Sequence, residues 1–116
     1  MRNLDWQSRI VTGALAGLAI LLGCATGSLA VDQYIVSQKG REFTPNRIVI
    51  KRGNAMTIVN DDADLRHHAY IASDDFNFDS GDQEPGSKTS IAFPVTGTFE
   101  VLCAIHPKMR LVVKVQ

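Results

Sequence analysis

Residues 98–115 read TFEVLCAIHPKMRLVVKV. Two strand-forming runs, Thr98–Cys103 and Arg110–Val115, flank a short loop containing Pro107. Side chains alternate between the two faces of an extended strand, so Phe99, Val101 and Cys103 share one face. If Phe99 and Val101 enter a core, the Cys103 thiol ends its strand pointing inward. Upstream, β-branched or alternating runs recur at Asp32–Ser37, Arg47–Lys51, Ala55–Asn60, His67–Ala72 and Lys88–Phe93. Turn residues separate them at Lys39-Gly40, Arg52-Gly53-Asn54, Pro85-Gly86 and Thr96-Gly97. Short strands at this spacing, with no helical period after residue 31, predict an all-β sandwich or barrel. By the same alternation His67, Ala69 and Ile71 share a face, and His68 and Tyr70 take the other.

The chain has 116 residues, enough for one domain, with twelve Lys/Arg balanced by twelve Asp/Glu. That balance offers no global charge to attract nucleic acid or an anionic membrane. Arg2 and Arg9 precede an apolar run from Ile10 to Gly23, which is too short to span a bilayer comfortably and suits the core of a secretory signal. Ser28-Leu29-Ala30 places small residues where a signal peptidase reads, so residues 1–30 are expected to be cleaved and 31–116 to fold in the periplasm. Leu21-Leu22-Gly23-Cys24 also resembles a lipobox, which would instead leave a lipid anchor on Cys24. Cleavage after Ala30 leaves Cys103 as the single cysteine, unable to form an intramolecular disulfide. An unpaired thiol in an oxidising compartment is a liability unless it is buried or bound.

The loop Cys103-Ala104-Ile105-His106-Pro107-Lys108-Met109 supplies a use for that thiol. A thiolate, an imidazole and a thioether stand at three-residue intervals. Thiolate and thioether are soft donors that suit Cu(I), and imidazole suits both copper oxidation states. Two His and one Cys with a weak Met make the site of blue-copper electron transfer. The second imidazole must come from elsewhere, and His67, inward-facing at a strand start, is the candidate. Strand register favours His67 over His68, because choosing His68 would turn Ala69 and Ile71 outward.

These residues resemble the cupredoxin family of type 1 blue copper proteins, and the Cys-x-x-His-x-x-Met loop resembles its plastocyanin/amicyanin-like members. Phe43-Thr44-Pro45, Ile48, Ile50, Gly53, Val59-Asn60-Asp61 and Thr96-Gly97-Thr98-Phe99 match the same pattern, so the resemblance spans roughly Glu42 to Val115. It implies a single Greek-key β-sandwich of about seven to eight strands with one copper ion on His67, Cys103, His106 and Met109. It further implies a monomeric electron carrier, not an enzyme, whose protein redox partners dock at an apolar patch around His106. Pro107 and Pro45 would rim that patch, with Lys108 at its edge. One departure stands out: the family commonly has Asn after its first ligand His, bracing the Cys loop, and this chain has His68.

Other readings of the same residues fare less well. A copper-delivery protein would use the same ligands and is the main alternative, and a module serving only protein contacts would not need Cys, His and Met together. A thiol enzyme would need an oxyanion hole and an orienting group for its His. Asp75-x-Asn77-x-Asp79 begins like a calcium loop, but its Gly is displaced to position 81 and Gly86 stands where the bidentate Glu belongs. A solvated acidic loop anchored by Phe76 and Phe78, able to steer a basic partner, is expected there instead.

Overall fold

A computed structural model describes residues 32–116, together with residues 17, 20 and 23. The cleavage site after Ala30 and the lipobox cysteine Cys24 lie outside the described residues. Nine strands form: β1 (Tyr34–Lys39), β2 (Glu42–Thr44), β3 (Arg47–Ile50), β4 (Ala55–Asn60), β5 (Ala69–Ile71), β6 (Phe78–Asp79), β7 (Lys88–Ala92), β8 (Gly97–Cys103) and β9 (Arg110–Val115). They make a four-stranded sheet in the order β2-β1-β4-β7 and a five-stranded sheet in the order β3-β9-β8-β5-β6. Parallel pairing of β1 with β4 and of β3 with β9 makes both sheets mixed. The described residues contain no helix.

The two sheets are held together by alternation. In β4, Met56, Ile58 and Asn60 are buried while Ala55 is exposed. In β8, Phe99, Val101 and Cys103 are buried, and in β9 so are Leu111, Val113 and Val115. Phe76, Phe93 and Phe99 meet with ring centroids 5.5–6.1 Å apart, which ties the loop after β5 to the core. Such tilted and edge-on contacts suit the ring quadrupoles. Phe76 and Phe78 are partly buried against the core, as the anchoring of that loop requires.

Seven of the nine strands fall where the alternation predicts them. The two others, β2 and β6, have only three and two residues. Strand β5 begins at Ala69 rather than His67, because His67 joins the sheet only through an isolated bridge to Gln83.

Candidate metal centre

Register brings the first two candidate ligands together. Strand β5 pairs antiparallel with β8 so that Ala69 faces Cys103. Directly opposed residues send their side chains to the same face, and His67, two positions before Ala69, joins them there. The Cys103 sulfur lies 3.9 Å from His67 Nδ1. The turn after β8 then carries His106 back across the end of the sandwich, where its Nδ1 lies 3.9 Å from the same sulfur and 3.3 Å from His67 Nδ1. The turn is closed by the Met109 N–H donating to the His106 carbonyl at 3.0 Å.

Burial grades across the cluster. His67 is fully buried, Cys103 is 2 % exposed, and His106 is half-buried at the surface. Among the described residues these three form the one group of His, Cys, Asp or Glu side chains close enough to share a metal ion. The calcium-like residues Asp75, Asn77 and Asp79 form no such group; Asn77 Oδ1 accepts the Ser73 N–H and Asp79 binds His68. Met109 is buried in the core three residues beyond His106.

His67 is oriented by a residue that spacing alone did not single out. Its Nε2 lies 2.6 Å from Asp62 Oδ2, and Asp62 Oδ1 accepts the Gly40 N–H at 3.0 Å. Burial raises the Asp62 pKa, but the bonds from Gly40 and His67 and the charges of His67 and Lys39 outweigh it, and the carboxyl stays below its ordinary value. An ionised Asp62 can only accept, so His67 donates from Nε2, and Nδ1 is the ring nitrogen left facing the cluster. Asp62 is in turn set by Asn60, whose Oδ1 accepts the Asp62 N–H and whose Nδ2 donates to the carbonyls of Leu65 and Gln83.

The His106 pKa lies below its ordinary value. Burial lowers its pKa first, and the nearby charges of His67 and Arg41 add to that against the opposing pull of Asp62. Two imidazoles and a buried thiol, converging through Nδ1, Nδ1 and Sγ, fit a cation that prefers nitrogen and sulfur.

His68 resolves the departure from the Asn pattern. Its backbone N–H donates to the Cys103 sulfur at 3.4 Å, and its carbonyl accepts the Ala104 N–H at 2.9 Å. The brace on the Cys loop is thus made by the main chain, which any residue but proline supplies. The His68 side chain points the other way, to Asp79 at 2.6 Å and Asp82 at 3.6 Å. A surface groove borders His106 and is lined by Ile105, Pro107 and Lys108, with Gly40, Arg41 and Glu42 opposite. Pro107 takes the place expected of it, whereas Pro45 does not line the groove; the β1–β2 turn does.

No protein-family model and no curated protein matches the chain. Solved structures do. A Cu-containing nitrite reductase from Thermus scotoductus SA-01 superposes with a TM-score of 0.67 and 26 % identity over 73 % of this chain, which spans 22 % of that enzyme's chain. A Cu(I) amicyanin mutant superposes at 0.66 with 20 % identity, covering 72 % of this chain and 82 % of that one. An oxidised amicyanin mutant gives 0.67 with 18 % identity over 78 % and 88 %.

Proposed function

From the premise that the chain is a cupredoxin by fold, we propose that it is a periplasmic one-electron carrier holding a single copper ion on His67, Cys103, His106 and Met109. The observation that carries this reading is the convergence of one buried sulfur with two imidazole Nδ1 atoms, all within 3.9 Å of one another. When bound, copper would supply a Cu(II)/Cu(I) couple that exchanges one electron.

The protein's own residues do the rest. Cys103 would hold the ion as a thiolate, and the His68 N–H donates to its sulfur. Asp62 holds the His67 ring in one tautomer and one orientation, so little rearrangement is needed when charge changes. Met109 supplies a buried thioether, a weak donor that tunes potential more than affinity. His106 is the single half-buried member of the trio and links it to the surface, while His67 and Cys103 are closed to solvent.

That burial favours a carrier over a delivery protein. Handing copper on by ligand exchange requires an acceptor to reach the ligands in turn, and only His106 is within reach. An electron needs no such access. No step in this reading breaks a substrate bond, so the chain acts as a carrier rather than a catalyst.

The periplasmic assignment rests on Arg2 and Arg9, the apolar run that follows and Ser28-Leu29-Ala30. Exported protein should begin at Val31, read by N-terminal sequencing. For the metal, adding one equivalent of Cu(II) should produce an intense thiolate-to-copper band in the visible spectrum. A colourless protein with bound copper would overturn the reading.

A further inference from the structure

The face around His106 carries an excess of positive charge, although the chain as a whole is neutral. Arg41 and Lys108 line the groove that borders His106, with Glu42 as the one carboxylate. Past Lys108 the surface continues along Arg47 and Arg110, again with no further carboxylate lining it. Among the described residues Arg41, Lys108 and Arg47 form no ion pair, and Arg110 pairs with Glu100. The acidic loop is different: Asp79 and Asp82 are bound to His68, and Asp82 and Glu84 to Arg66. Three of its carboxylates thus have partners within the chain, while Asp74 and Asp75 form no ion pair among the described residues.

A second, independent observation concerns Arg41. Strands β1 and β2 pair Lys39 with Glu42, leaving Gly40 and Arg41 as a two-residue hairpin loop with φ of 62° and 61°. Hairpin turns of this kind need positive φ at both central residues, and Gly or Asn takes that position with least strain. An arginine there costs about 1 kcal/mol, so the turn holds a cation at conformational expense. The same turn is fastened to the metal centre, because the Gly40 N–H donates to the Asp62 carboxylate that orients His67. Arg41 is therefore held at a set place relative to the ligands. Next to it Ile105 is 44 % exposed and Pro107 is exposed, a small apolar contact area beside the half-buried imidazole.

Resting on the electron-carrier reading above, we propose that the His106 face receives a redox protein whose electron-exchange surface is rimmed by carboxylates. Arg41 and Lys108 steer its approach, and Ile105 and Pro107 make the apolar contact. Charge at such a rim acts on association rate, and salt screens it over about 10 Å at 0.1 M. In the transfer itself one electron passes from the reduced partner to Cu(II), leaving the partner oxidised and the copper as Cu(I).

The test uses the copper-loaded protein and two small reductants of opposite charge, hexacyanoferrate(II) and hexaammineruthenium(II), each giving one electron to Cu(II). Stopped-flow rates should fall about tenfold for hexacyanoferrate between low and high salt, and stay level or rise for the ruthenium complex. The Arg41→Gln/Lys108→Gln double variant should keep its visible spectrum and lose about fivefold of the low-salt hexacyanoferrate rate. Poly-L-glutamate should inhibit that exchange and poly-L-lysine should not, which separates an acidic polypeptide surface from a small anion. Equal salt dependence for both complexes, an unaltered rate in the double variant or no inhibition by poly-L-glutamate would each overturn the docking proposal while the copper reading stands. A protein with no visible copper band would instead bring down the carrier reading beneath it.

Discussion

His67 and His106 meet with their Nδ1 atoms 3.3 Å apart, but the segments that deliver them are built on different terms. On the His67 side the fastening is done by buried side chains. Asn60 holds Asp62, Leu65 and Gln83, Asp62 holds His67, and Gln83 exchanges both backbone bonds with His67 while its Oε1 accepts from Gln38 and the Ala69 N–H. On the His106 side Ala104, Ile105, Pro107 and Lys108 are exposed, and the turn is held by its two flanking strands and the Met109–His106 backbone bond. One side of the centre fixes a geometry. The other presents it.

The largest effect should come from the atom both sides share. Cys103→Ser should abolish the visible band completely, since a hydroxyl gives no thiolate-to-copper transition; a variant that stayed blue would remove the site from these residues. Next is Asn60→Ala, which removes three hydrogen bonds from a buried side chain. Unfolding by denaturant should show a loss of about 3 kcal/mol, at about 1 kcal/mol for each bond. Ile105→Ala, on the presenting side, should stay within about 0.5 kcal/mol of the parent. Similar losses in the two variants would erase the contrast.

Asp62→Asn should act on the metal rather than on the fold. Copper affinity, measured by competition with a chelator, should fall about 10- to 100-fold through loss of the carboxylate behind His67. An unchanged affinity would mean that the ring needs no such partner. A small effect is likewise expected at His68→Ala, which removes only ion pairs at the surface and leaves the backbone brace on Cys103 intact. Stability should shift by less than about 1 kcal/mol, and the visible spectrum should not move.

The same contrast explains what could be read from the amino-acid order. Alternation in Thr98–Cys103 and His67–Ala72 is local, so the inward thiol and the inward imidazole were legible, as was the choice of His67 over His68. The spacing of Cys103, His106 and Met109 is local too. The fastening on the His67 side is not: Gln38 and Gln83 are 45 positions apart, and only the parallel pairing of β1 with β4 and the His67–Gln83 bridge bring them together. Asp62 sits in a turn five residues before His67, among Asp61 and Asp64, and nothing in that run marks which carboxylate turns inward. Its one signal is Asn60 two residues earlier, whose side chain caps the turn. Strands β2 and β6 are not legible in the amino-acid order because two or three residues cannot display a period of two. Arg41 beside His106 depended on the hairpin closing over the Asp62 carboxylate, a contact between segments 22 positions apart.

X-ray absorption at the copper edge of the loaded protein tests the centre most directly, because it counts the atoms bound to the metal. One sulfur at short range with two imidazole nitrogens is the result expected from Cys103, His67 and His106. A copper ion surrounded by nitrogen and oxygen alone would contradict it.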